Sequence, residues 1–317
     1  MFTRSSRVAA IALGIATAAV IPLAGPATAA TDSVTVTSSQ PTKPGEVQIN
    51  WDASIGYEVD YFRLSDDAKS LAKIVGGNDG QATTATSGSV TFLAYSTTYD
   101  ITVTAVGTDK NNQTSSDPWR LQGYRLLSKP SVYTLNKGKS VTITGSLNKE
   151  GTNIAVSNAQ IKLQARPAGA PDWTTVDTAN TNGQGEFTTS NTPKRNTDYR
   201  TWYSGDGAGG WRTPIPVTVK VPITRQVSPN PVNVNSTATF SGKVRAPARL
   251  VKGQTIRLQR RTTNGWNTVG TDTVSATAGY SINYTPPSQS DGSFRLLLPS
   301  SRNFAASTSK TIALKVN

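Results

Sequence analysis

The stretch Ile161-Lys162-Leu163-Gln164-Ala165-Arg166 returns 95 residues later as Ile256-Arg257-Leu258-Gln259-Arg260-Arg261. Side chains on a β-strand point to alternate faces with period two. Ile161 and Leu163 therefore share an apolar face, and Lys162, Gln164 and Arg166 share a polar one. Ile256 and Leu258 oppose Arg257, Gln259 and Arg261 in the same way. Three further anchors keep the order. Trp173-Thr174-Thr175-Val176 returns as Trp266-Asn267-Thr268-Val269, 93 residues on. Tyr199-Arg200 returns as Phe294-Arg295, and Val219-Lys220-Val221 as Leu314-Lys315-Val316, both 95 residues on. Four anchors in one order with nearly one offset define two homologous units, 126–221 and 222–317.

Outward from these anchors, helical periodicity is nearly absent. Val47–Trp51, Tyr99–Val106, Val141–Gly145 and Ile312–Val316 are further alternating runs, separated by Gly, Pro, Asn, Asp and Ser clusters. Asp66–Ile74 reads either as a helical turn or as a strand and loop. Short alternating strands at this spacing predict an all-β protein of three tandem β-sandwiches. The first, 31–125, lacks the shared anchors. Ser115 to Pro130 reads as the first linker. The second joint, from Val221-Pro222 to Pro229-Asn230-Pro231, is short and Pro-rich. Such joints are semi-rigid, which predicts an extended rod.

In the first unit, Leu93, Thr97, Tyr99, Ile101, Val103 and Ala105 follow a strand-F pattern. Trp51 follows Val47 and Ile49, and Val59, Phe62 and Leu64 make a strand with Tyr57 and Tyr61 offering a competing register. On these residues the unit resembles a fibronectin type III domain. The resemblance implies that Leu93 plugs a corner and that Tyr99 is a tyrosine corner, its hydroxyl bonded to upstream backbone. Units two and three resemble the Ig-like repeats of secreted bacterial proteins. There Gly145 and Gly242 close a first strand, and Tyr199-Arg200-x-x-Tyr203-x-Gly205-Asp206 is a late-strand signature that unit three lacks. These resemblances imply a fold and an extracellular modular setting, not an activity.

Residues 1–30 read as a secretory signal peptide. Arg4 and Arg7 precede the apolar run Val8–Ile21, Pro22, Gly25 and Pro26 break it, and Ala27-Thr28-Ala29 is an A-x-A cleavage site. The run is short for a membrane span, so no transmembrane segment is expected after cleavage. No Cys follows the site for lipid attachment, and no adjacent Arg pair marks twin-arginine export. Lys310–Asn317 is not a hydrophobic tail, and Leu298-Pro299-Ser300 lacks the rest of an LPxTG signal. The expectation is a secreted bacterial protein, released or held noncovalently at the cell envelope.

Composition narrows the chemistry. The 317 residues hold 32 Lys+Arg against 19 Asp+Glu, a net charge of +13, with no His, no Cys and only Met1. A Ser-His-Asp or Cys-His triad, a disulfide and a thiolate metal site are all excluded. No cofactor is expected. The charge is uneven: 31–125 has 7 basic and 11 acidic residues, 126–221 has 11 and 6, and 222–317 has 12 and 2.

Two candidate surfaces follow. Arg245, Arg249, Lys252, Arg257 and Arg261, with Lys162 and Arg166, make a basic patch suited to polyanions. Outside a cell these are cell-wall polymers, acidic polysaccharide or shed DNA, with no specific nucleic acid implied. The plainer reading is a solvated face that keeps strand edges from aggregating. Trp202, Tyr203 and Trp211 are the best aromatic platform for sugar rings, with core packing as the plainer reading. Trp173 and Trp266 recur, and so read as structural packing. Glu58, Asp60, Asp66 and Asp67 cluster, but glycoside hydrolysis needs opposed carboxyl groups across a cleft that a small sandwich rarely makes. Asn78-Asp79-Gly80 lacks EF-hand spacing. Ser70-Leu71-Ala72-Lys73 matches S-x-x-K without its partner motifs. The sequence thus predicts a non-enzymatic interaction or spacer protein with a basic C-terminal domain. The alternative is a carbohydrate-binding accessory to polysaccharide breakdown. Oligomeric state is not legible.

Overall fold

The computed structural model of the chain describes residues 31–66, 69–75, 85–91, 98–205 and 209–317. Residues 1–30, read as a signal peptide, lie outside the described residues, as do Asp67, Asn78-Asp79-Gly80, Leu93, Thr97, Asp206 and the Trp211 side chain.

The chain is all-β, in three tandem sandwiches. The first runs β1 (Ser33–Lys43), β2 (Glu46–Ser54), β3 (Val59–Asp66), β4 (Lys69–Val75), β5 (Ser87–Thr91), β6 (Tyr99–Gly107), β7 (Gln113–Ser115) and β8 (Trp119–Leu121). Sheet β1-β2-β5 faces sheet β4-β3-β6-β7, with β8 also on β6. Alternation sends Val47, Ile49 and Trp51 from one sheet and Ile101, Val103 and Ala105 from the other into one core. Trp51 meets Phe62 at 5.3 Å between ring centres. The spacing Val59–Phe62–Leu64 is irregular for a strand. A bulge between Val59 and Tyr61 in the pairing with β6 absorbs the extra residue, so all three are buried. Tyr57 is not in that register, and its hydroxyl donates to the Ala105 carbonyl at 3.0 Å. Within Asp66–Ile74 the described residues are strand rather than helix, because β4 finds backbone partners on β3 from Tyr61 to Asp66. A nine-residue segment cannot nucleate a helix against that competition.

The second sandwich runs β9 (Tyr124–Pro130), β10 (Thr134–Asn136), β11 (Val141–Lys149), β12 (Gln160–Pro167), β13 (Thr174–Asn180), β14 (Glu186–Asn191), β15 (Thr197–Tyr203), β16 (Gly210–Trp211) and β17 (Ile215–Lys220). Sheet β14-β11-β9 faces β10-β17-β15-β12-β13, with β16 on β15. The stretch read as a linker is mostly paired backbone: β8 joins the first sandwich and β9 the second, leaving only Gln122 and Gly123 between them. The boundary expected after residue 125 therefore falls inside β9.

The third runs β18 (Gln226–Ser228), β19 (Ala238–Lys243), α1 (Ala248–Val251), β20 (Thr255–Thr262), β21 (Gly265–Thr273), β22 (Gly279–Tyr284), β23 (Gly292–Leu298), β24 (Ser307–Thr308) and β25 (Ile312–Leu314). Sheet β18-β19-β22 faces β21-β20-β23-β24, with β25 on β23. The short α1, which no sequence signal marks, is anchored by buried Val251.

Gly145 and Gly242 lie within β11 and β19 rather than closing them. Each is a close-approach position. A Cβ on Gly145 would strike the Leu127 carbonyl and the Phe187 ring. On Gly242 it would strike the Thr224 carbonyl and the Tyr280 hydroxyl.

The second joint is packed rather than merely Pro-stiffened. Val219 and Val221 belong to the hydrophobic core of the third sandwich. The Ala305 N–H donates to the Val219 carbonyl, and the Val221 N–H to Ser307 Oγ, both at 2.9 Å. Asn196 crosses the joint. Its N–H donates to the Asn303 carbonyl at 2.7 Å and its Nδ2 to that of Arg302 at 3.1 Å. Its Oδ1 accepts from the Val219 N–H at 2.9 Å.

Candidate anion-binding face

The anchor strands β12 and β20 lie inside their sheets, between β13 and β15 and between β21 and β23. Ile161 and Leu163, like Ile256 and Leu258, are fully buried, which fixes the opposite face outward. That face holds Lys162, Gln164 and Arg166 in unit two and Arg257, Gln259 and Arg261 in unit three. Arg257 and Arg261 are exposed, while Lys162 and Arg166 are half-buried.

Both faces carry the same construction. Gln164 is paired with Arg200 across β15, and Gln259 with Arg295 across β23. The Nε–H of Arg200 donates to Gln164 Oε1 at 2.7 Å, and that of Arg295 to Gln259 Oε1 at 2.8 Å. These bonds satisfy two glutamines that are only 8% exposed. Each pair of guanidinium groups then covers an indole. Arg166 and Arg200 lie 4.8 and 4.4 Å from the Trp173 ring centre. Arg261 and Arg295 lie 5.5 and 4.4 Å from that of Trp266. Trp173 and Trp266 are thus outer-face platforms under cations, half-buried rather than part of the core. Burial, and then the neighbouring Arg166, holds the Arg200 pKa below its ordinary value. Burial and Arg261 do the same to Arg295.

The two faces differ in charge balance. In unit two the Asp198 carboxylate lies 3.2 Å from Arg166 Nη2, and Lys162 Nζ caps the Trp202 ring at 4.8 Å. Among the described residues, unit three has no ion pair. Its two acids, Asp272 and Asp291, accept backbone N–H groups instead. Asp272 takes those of Thr273 and Ser281, both at 2.7 Å, and Asp291 that of Val316 at 3.0 Å. Asp177 does the same in unit two, tying β13 to Ser190 of β14 at 2.8 Å.

Arg245, Arg249 and Lys252 are exposed around α1, not on this face. Arg245 borders a hollow of about 390 Å³ with Lys137 and Lys243, and Lys137 Nζ donates to the Arg245 carbonyl at 2.8 Å. The residues of the expected patch thus come from α1 and its flanks as well as from the outer face of β20.

The aromatic platform is corrected. Trp202 does face outward, but it is 9% exposed beneath Lys162. Tyr203 is 8% exposed and packs edge-on against Tyr124, with ring centres 4.9 Å apart. Neither offers an open ring to a sugar. The backbone of Trp211 pairs with Trp202. In unit one, Asp66 Oδ1 accepts the Asp100 N–H at 3.0 Å. Ser70 and Lys73 sit on strand β4, where a bulge sets them opposite Ser65 and Arg63 of β3. Tyr99 is half-buried against the first core.

No family model and no curated protein matches the chain. Among solved structures, a fragment of the titin I-band, I67–I69, is 8% identical with a TM-score of 0.34, covering 90% of this chain and 98% of that one. The Escherichia coli adhesin FdeC is 16% identical with a TM-score of 0.32, covering 92% and 99%. A tetra-tandem repeat from the extending region of a large adhesion protein is 14% identical with a TM-score of 0.32, covering 90% and 74%. At these scores the likenesses carry no argument about this chain.

Proposed function

We propose that the chain is an exported, non-enzymatic spacer and interaction protein whose third sandwich holds anionic polymers of the cell envelope by charge. The observation that carries this reading is the uncompensated third unit. It has 12 Lys and Arg against two acids, and both acids are committed to backbone N–H groups. Fixed charges arranged this way attract polyanions and are not quenched from within. The packed joint to the second unit suits a spacer, since it fixes one basic unit on another. The signal-like residues 1–30 support export. The absence of His and Cys supports a non-enzymatic role. Among the described residues, no helix is long and apolar enough to cross a membrane. Sugar stacking finds no support at Trp202 and Tyr203, which are covered.

The test is retention of the mature chain on its own cell envelope across a salt series. Binding at low salt that falls steeply as salt rises is the expected result, because neutralised charges release counterions. Indifference to the envelope and to soluble polyanions at low salt overturns the reading.

A further inference from the structure

Unit two shows what the stacked face accepts. Asp198 stands opposite Arg166 across β12 and β15, and its carboxylate sits beside the Arg166–Trp173–Arg200 stack. Unit three repeats the stack, the glutamine beneath it and the register, Gln259 opposite Arg295 and Arg260 opposite Phe294. One step further along the same strands, Ser293 falls opposite Arg261. It is exposed and carries no charge. The part missing from unit three is therefore the anion.

We propose that the Arg261–Trp266–Arg295 stack is a seat for a carboxylate carried by an external polymer, in the place that the Asp198 carboxylate fills in unit two. The proposal rests on the polyanion reading above and adds the chemical group and its position. The internal precedent is a carboxylate, and the flat guanidinium fork matches its two oxygens. Two guanidinium groups over one indole repel each other, and Arg295 feels Arg261 in just this way. An anion between them relieves that repulsion. A single exposed ion pair is weak and screened by salt, so a free monocarboxylate does not stay bound. A chain with repeated carboxylates engages Arg257, Arg261 and Arg295 together, and each contact makes the next effectively intramolecular.

The experiment compares retention of the mature chain on immobilised polygalacturonate and on immobilised polyphosphate at low salt. The variants are Ser293→Asp, Ser236→Asp and Asp198→Ser. Ser236 is an exposed position just before β19, in the opposite sheet. Its variant adds the same charge away from the stack. Ser293→Asp supplies the missing carboxylate internally, so polygalacturonate retention should fall about fivefold further than with Ser236→Asp. Asp198→Ser opens the matching seat in unit two and should raise retention. Thermal unfolding of each variant near the wild-type midpoint confirms that the sandwiches are intact, as expected for the exposed Ser293 and Ser236 and the half-buried surface pair at Asp198. Equal losses for Ser293→Asp and Ser236→Asp overturn the seat while leaving the polyanion reading standing. The same Ser293-specific loss on polyphosphate overturns the carboxylate assignment. A wild-type chain that ignores both polymers overturns the polyanion reading itself.

Discussion

Units two and three share a scaffold and differ in what they leave uncompensated. Both bury the apolar side of the anchor strand, both seat a glutamine under an arginine, and both lay two arginines over a tryptophan. In unit two Asp198 answers Arg166, and Trp202 lies under Lys162. In unit three the matching positions are Ser293 and Leu297, so Arg261 lacks the anion and Arg257 lacks the ring that their unit-two counterparts meet. The cores differ too. Tyr199 bonds Asn191 Oδ1 at 2.8 Å, whereas its counterpart Phe294 packs against Phe240 and Tyr284. The comparison separates two jobs of one repeated motif. The Gln–Arg–Trp assembly recurs on the sheet surface in both units, while the counter-ion separates a compensated surface in unit two from an uncompensated one in unit three.

The largest expected effect tests whether the two cores are coupled. Phe294 is 1% exposed in a core that also holds Val219 and Val221 from the second unit's last segment. Phe294→Ala should cost about 3–5 kcal/mol. Amide exchange should then speed up in β17 as well as in β20. A β17 that keeps its wild-type rate would show that the sandwiches open independently, despite the shared side chains.

Next come the paired glycines. Gly145→Ala and Gly242→Ala should each cost about 1–3 kcal/mol, because each new methyl meets a backbone carbonyl that cannot move freely. Gly242→Ala should be the costlier. Its Cβ also displaces the Tyr280 hydroxyl, which donates to the Thr224 carbonyl at 2.7 Å. Urea midpoints of the two variants give the order, and equal midpoints break this part of the comparison.

The strand periodicity of the anchors, and hence the all-β sandwiches, was legible in the sequence, because a period of two needs only local alternation. The outer face of β12 and β20 was legible for the same reason. The role of Trp173 and Trp266 was not. Recurrence marks a position as structural without saying on which side of the sheet it lies. The deciding feature is a bulge: Leu163 pairs with Asp177 but Gln164 with Thr175, leaving Val176 unpaired, and Val269 repeats this in β21. That bulge also explains why these two valines are 37% and 36% exposed. The cover on Trp202 was equally hidden, since it comes from Lys162, forty residues earlier and adjacent only across strands. The packing at the joint was not legible, because proline content predicts stiffness and says nothing of side chains that enter the neighbouring core.

Asn196 carries a third effect, on that joint. Asn196→Ala removes donors to the Ser301 and Arg302 carbonyls and the acceptor for the Val219 N–H. Leaving these groups unmet should cost about 1–3 kcal/mol. It should loosen β17 and the Ser301–Asn303 turn together, as seen by amide exchange, while β11 and β19 stay protected. Protection unchanged at both places would mean that the two cores alone hold the joint.

The smallest effect is pH-dependent and falls on the core difference between the units. Burial pushes the Tyr199 hydroxyl well above its ordinary pKa, and burial does the same for Tyr280 against a smaller opposing pull from Arg225. A tyrosine whose folded pKa exceeds its unfolded value of about 10 stays protonated when the unfolded chain ionises. Its contribution is therefore complete below about pH 10 and is lost as pH rises from there toward the folded value. These two hydroxyls sit at different positions of their units, for Phe294 replaces Tyr199 in unit three and Phe187 replaces Tyr280 in unit two. Tyr199→Phe should cost about 1 kcal/mol at neutral pH, through the lost bond to Asn191. Above about pH 10 it should also flatten the decline in the stability of unit two, while unit three keeps its own decline through Tyr280. Exchange protection of β12 and β20, followed on both sides of that pH, reads the two units separately. If β12 loses protection as steeply in Tyr199→Phe as in the wild type, the alkaline sensitivity of unit two does not come from its buried hydroxyl.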